Sequence, residues 1–156
     1  MNKEVQYIIT TLQNTLSGQP WYGRPVYVIF EEIDPSIVYK MPGNNSHSLI
    51  DLLYHMLTWA QFTQTRLLKE EMDIEVFEQM DWREIDPSVH TWEKGLEQLK
   101  KTHQHIIHLL EDKDDNFLKE IVDYREYNFR FLLHGLIQHN IYHLGQVAYV
   151  KNLLQS

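Results

Sequence analysis

Cysteine is absent from the 156 residues, which removes disulfides, thiolate metal ligands and a cysteine nucleophile together. Any metal must therefore be held by nitrogen or oxygen. Glycine and proline are scarce, at six and five, so neither a low-complexity nor a fibrous chain is indicated. Basic residues are outnumbered, 14 Lys and Arg against 22 Asp and Glu, for a formal net charge of −8. Nucleic-acid binders show a basic stripe, and none occurs here. No window approaches the ~18 apolar residues of a membrane span, and the N-terminal MNKEVQYIITTLQNTL lacks the apolar core and small-residue cleavage site of a secretory signal. The chain reads as soluble and cytoplasmic.

What the sequence has is helical period. Its length fits one domain, residues 1–156. Val5, Ile8, Ile9, Leu12 and Leu16 predict a helix over residues 2–16 that stops at Ser17-Gly18. Residues 19–42 hold four of the five prolines together with Trp21, Tyr22, Tyr27 and Phe30. They read as a long connection with one short helix near Val26 to Ile33. Asn45 or Ser46 is placed to cap a second long helix running to about Lys69, with Leu52, His55, Trp59 and Phe62 on one seam. A third opens near Pro87-Ser88 and runs to about Glu111, with Trp92, Leu96, Leu99, His103, Ile106 and Leu110 facing inward. The fourth spans about Asn128 to Leu154. No strand signal of comparable strength appears, so the expected fold class is all-α, a four-helix bundle.

Nine histidines remain to be placed. His139 and His143, in HNIYHLGQ, stand at i and i+4 and share one helix face, close enough to hold one metal ion. Leu132, Leu136, His139, His143, Gln146 and Val150 step by four, three, four, three and four, the seam a bundled helix buries. If His55 lies at the matching depth on its own helix, three neutral imidazoles converge as an open metal site; the bland alternative is a set of hydrogen-bonded core histidines. His103 reads as a satisfied core histidine or a further ligand, and Asp51 as an acceptor behind a ligand or a solvated carboxylate. His134 falls about 140° around the helix from His139, toward solvent. His47 serves the start of its helix, and His90, His105 and His108 read as surface residues. Gln146 is positioned to hydrogen-bond water or substrate, as a tentative catalytic group, or else to pair with backbone. Trp59 either walls a pocket or is plain core, and Gly145 allows close approach to the backbone.

These residues also carry a resemblance. GLIQHNIYHLGQVA near the C-terminus, SHSLIDLLYHMLTW in the second long helix, QPWYGRPVYVIFEEI after the first and MDWREID before the third together resemble the DinB family, the DinB/YfiT-like metalloenzymes. The likeness covers nearly the whole chain. It implies a four-helix bundle with a divalent metal held by His55, His139 and His143. Imidazole ligands suit zinc, nickel, iron or copper, and the expected ion is zinc or nickel, with iron or copper as the alternatives. The resemblance further implies a small-molecule enzyme, a thiol-dependent S-transferase or a hydrolase, in which the metal activates a low-molecular-weight thiol or water. It suggests a homodimer as well. A non-catalytic, stress-associated metal- or ligand-binding protein is the alternative, and a purely structural histidine cluster the third reading.

Overall fold

The computed structural model describes residues 2–156. Four long helices carry the fold: α1 (Lys3–Ser17), α3 (Leu49–Leu67), α5 (Trp92–Glu111) and α6 (Phe129–Gln155). Two short ones, α2 (Val26–Glu31) and α4 (Ile74–Met80), sit in the connections, with 3₁₀ turns at Pro35–Ile37 and Phe117–Lys119. Among the described residues the only β pairing is an isolated bridge between Ile121 and Asn128. The all-α expectation holds. Both α1 and α3 pack on α5 and on α6, so the bundle closes around one continuous core built from Val5, Ile8, Leu53, Leu57, Leu99 and Val147, among others.

Helix starts follow local hydrogen bonding rather than the first polar residue available. Ser48, not Asn45 or Ser46, caps α3, because its N–H and hydroxyl both donate to the Asp51 carboxylate while Asp51 N–H returns to Ser48 Oγ. This reciprocal box satisfies two helix-end donors at once. Asp51 is therefore occupied at the helix start and does not stand behind a ligand. Ser46 instead closes a turn with Gly43. In the same way Thr91 caps α5, later than the expected Pro87-Ser88. Asp86 accepts from Ser88 N–H and hydroxyl, which folds that dipeptide into a turn. Asn128 caps α6 through Phe131 N–H, as its position before the long periodic run implies.

Two further features place the site. Arg66 near the end of α3 is fully buried; its guanidinium donates to the carbonyls of Glu70 and Met72 and lies over the Phe62 ring. The turn into α4 is thereby tied back to α3. Helix α4, which the periodicity does not reveal because it is only seven residues long, then docks through buried Phe77, edge-on to Phe62 at 5.3 Å. The chain leaving α4 is held by Arg83, which donates to Met80 O and Thr58 Oγ1 and covers the Tyr54 ring. Asp81 and Trp82 are thus fixed beside the middle of α3.

Candidate metal site

His55 lies two turns into α3, and His139 and His143 project from α6, which packs against it. Their Nε2 atoms meet. His55 Nε2 is 2.9 Å from His143 Nε2 and 3.0 Å from His139 Nε2. One ligand nitrogen from each of the three lies within 4.8 Å of the others. A single ion with a nitrogen bond of roughly 2.0–2.1 Å can reach nitrogens so spaced. Among the described residues no fourth His or carboxylate joins this group.

Protonation decides what the cluster can do. The Asp81 carboxylate accepts a hydrogen bond from His55 Nδ1, so the proton of neutral His55 is on Nδ1 and its Nε2 carries a bare lone pair. Gln146 Oε1, at 2.5 Å, accepts from His143 Nδ1 in the same way. Two lone pairs then face each other at 2.9 Å with no proton between them. That is a repulsive arrangement for imidazoles alone and a favourable one around a cation. Among the described residues nothing accepts from His139 Nδ1, which is buried.

The surroundings keep the rings neutral. Burial, and then the neighbouring imidazoles His143 and His47, push His55 down to about 3. Burial, then His143 and His55, push His139 to about 3 as well. Burial also lowers His143, opposed by its hydrogen bond to Gln146. Neutral imidazole is the form that binds metal, so the ligands are ready at neutral pH without releasing protons. Asp81 is raised by burial, against the opposing effects of Trp59, His143 and Arg83.

Trp82 roofs the cluster. Its indole is stacked between two imidazoles, His55 at 3.9 Å and 9° on one face and His47 at 3.7 Å and 12° on the other. His47 precedes the cap residue Ser48, yet its ring spends itself on this stack rather than on the helix end. Neither Asp81 nor Trp82 can be assigned from spacing: they stand 26 and 27 residues beyond His55, in a turn after a short helix. The MDWREID segment that contains them gives a resemblance but no role.

The remaining histidines separate cleanly. His103 is fully buried, with Tyr27 Oη at 2.9 Å from Nδ1 and the Asn140 amide at 3.2 Å from Nε2. Both nitrogens are used, so it is a satisfied core histidine and not a ligand. Tyr27 and Asn140, its partners, are not visible as partners from the sequence. His134 is half-buried and outside the cluster. His90 and His105 are more engaged than surface residues would be: His90 accepts from Asp86 N–H and meets the Tyr54 ring edge-on, and His105 bonds Gln64. His108 is exposed beside Glu111. Gln146 turns toward the back of His143 rather than into solvent or backbone.

Trp59 and Gln146 border different cavities. Trp59 and His139 share a cleft of about 180 Å³ between α3 and α6. Gln146 and His47 share one of about 370 Å³ with Pro42, the end of the long connection. The residues lining one cavity are absent from the other, so Trp59 and Gln146 do not border a common pocket.

No curated protein and no solved structure matches the chain. The sequence model of the DinB superfamily matches residues 26–147, a span that contains His55, Asp81, His139, His143 and Gln146. By that match over most of its length, with an all-helical bundle and three histidines gathered at one point, the chain belongs to the DinB superfamily.

Proposed function

We propose that the protein is a metal-dependent small-molecule enzyme, a thiol-dependent S-transferase or a hydrolase, with one divalent ion held by His55, His139 and His143. The observation that carries this is the 2.9 Å approach of His55 Nε2 to His143 Nε2 with an acceptor behind each ring at Nδ1, an arrangement that turns both Nε2 lone pairs toward one point. When bound, the ion supplies a Lewis acid that lowers the pKa of a thiol or of water and so provides a nucleophile near neutral pH. Three protein ligands favour catalysis over a structural role, since structural sites are closed by four.

The chain's own residues do the rest. Asp81 and Gln146 fix which nitrogen of His55 and His143 is free, and hold each ring in its plane. Trp82 and Trp59 limit bulk water around the cluster, Trp82 by covering one face of His55 and Trp59 by lining the approach to His139. Exclusion of water strengthens every electrostatic interaction made inside. The chain has no cysteine, so in the transferase reading the thiol arrives as a low-molecular-weight cosubstrate.

Protein purified without a histidine tag should carry close to one equivalent of a divalent metal, measured by mass spectrometry of the metal, and His143→Ala should lose it while His134→Ala keeps it. The metal-loaded protein is then screened against electrophiles with several cellular thiols, and against esters and amides without thiol. Thiol-dependent consumption abolished by chelation supports transfer; ester or amide turnover without thiol supports hydrolysis. Stoichiometric metal with neither activity would replace the enzyme by a metal-binding protein, and full metal in His143→Ala would remove the site.

A further inference from the structure

From Phe131 to Val150, helix α6 has no Asp, Glu, Lys or Arg, although 23% of the chain is charged. One flank of this uncharged stretch forms a wall of the cleft that His139 borders. Opposite it on α3 stand Trp59 and Phe62, ring centroids 5.4 Å apart. Tyr127 and Phe131, 5.1 Å apart, close the end near the start of α6. Among the described residues no charged side chain lines this space. Gly135 supplies bare backbone: a Cβ built there meets nothing within 4 Å. Gly95 on α5 is different, since a Cβ there would sit 2.8 Å from the Tyr54 ring. Packing therefore accounts for Gly95 but for neither Gly135 nor Gly145 on α6, at both of which a Cβ meets open space, so no described residue approaches the Gly145 backbone as the sequence suggests. Of the two only Gly135 borders the cleft, and alanine would be about 1 kcal/mol better for the helix there. What Gly135 leaves open is the cleft.

We propose that this cleft binds the uncharged, ring-bearing body of the substrate and presents its reacting group to the metal site from the His139 side. The proposal rests on the metal-site reading above. An ionised body would lose hydration with no charged side chain in the cleft lining itself to replace it. Four aromatic side chains offer edges and faces to a ring. Size sets the scale: roughly 150 Å³ of apolar cavity holds one benzene, and the cleft measures about 180 Å³, enough for a single ring with a small substituent. Position supplies the reach, because His139 belongs to both walls, lining the cleft and placing its Nε2 3.0 Å from that of His55. The substrate class is thus a neutral molecule with one aromatic ring next to the group attacked.

The test uses metal-anchored probes that differ only in the body. Zinc-loaded protein is titrated calorimetrically with acetohydroxamate, benzohydroxamate and 4-carboxybenzohydroxamate. Burial of the ring should make benzohydroxamate at least about tenfold tighter than acetohydroxamate, and the added carboxylate should erase that gain. Gly135→Leu, which adds a helix-favouring side chain into open space, should fold, keep its zinc and its acetohydroxamate affinity, and lose the tenfold preference. Equal affinities for acetohydroxamate and benzohydroxamate, or a preference that survives Gly135→Leu, would overturn the proposal. To separate it from the metal reading, the metal-free protein is titrated with phenol and the amide resonances of Gly135 and Thr63 are followed by nuclear magnetic resonance. Shifts at both in the wild type, with that of Thr63 lost in Gly135→Leu, support the cleft even if no zinc binds; absence of shifts in the folded metal-free protein overturns it even if zinc does.

Discussion

Asp81 is the residue on which the orientation of His55 depends. Without an acceptor on Nδ1, a neutral imidazole is free to carry its proton on Nε2, which would point a hydrogen at the place where a ligand lone pair is needed. The Asp81 carboxylate removes that freedom, as Gln146 does for His143, while His139 has no such partner. Groups that hold a ligand histidine from behind are worth about 10–100-fold in metal affinity. Asp81→Asn retains an acceptor but removes the charge, and its amide can also donate. We expect zinc affinity to fall by about tenfold, read by competition with a chromophoric chelator, with the helical circular dichroism unchanged. Wild-type affinity in Asp81→Asn and also in Asp81→Ala would show that the contact does not orient His55.

At the scale of elements, α3 carries one ligand and its first turn is set by the Ser48–Asp51 box. Replacing an N-cap serine by alanine costs about 1 kcal/mol. Ser48→Ala should show that loss in urea unfolding and leave metal stoichiometry intact, because His55 sits two turns further on; a loss below a few tenths would mean the box is not holding the helix. The long helices and their inward seams were legible because Leu, Ile and aromatic residues repeat every three or four positions, and the repeat itself brings His139 and His143 to one face. The convergence of His55 on them was implied by the family likeness rather than by spacing. The helix starts at Ser48 and Thr91 lie a few residues from where the sequence places them, since several serines, threonines and asparagines precede each helix and only the hydrogen bond chooses among them. Short α4 is not legible in the sequence, because seven residues give barely two turns of pattern. With it went Asp81 and Trp82, whose roles come from the turn that α4 and Arg83 pin onto α3, a contact between segments far apart in sequence. Nothing periodic marks such residues.

Over the whole molecule, buried neutral histidines make the metal-free fold acid-labile. His103 is pushed to about 3, by burial first and then by the nearby His139, and its partners Tyr27 and Asn140 leave it no solvent. In the unfolded chain the same imidazole titrates near its ordinary value of about 6.5. The folded pKa is the lower one, so the unfolded state binds the extra proton. The stability His103 contributes is complete above about pH 6.5 and is lost progressively as pH falls toward 3. Between pH 7.5 and pH 5, before most carboxylates protonate, one such histidine accounts for about 2 kcal/mol of lost stability. His55 and His139 add to the loss in the same direction when no metal holds them. Urea unfolding of the metal-free protein at pH 7.5, 6 and 5 should therefore show a steep decline, and His103→Gln, less stable at pH 7.5, should decline less by about that single-histidine share. If the two proteins lose stability in parallel across this range, His103 is protonated in the folded state, and its bonds to Tyr27 and Asn140 do not keep it neutral.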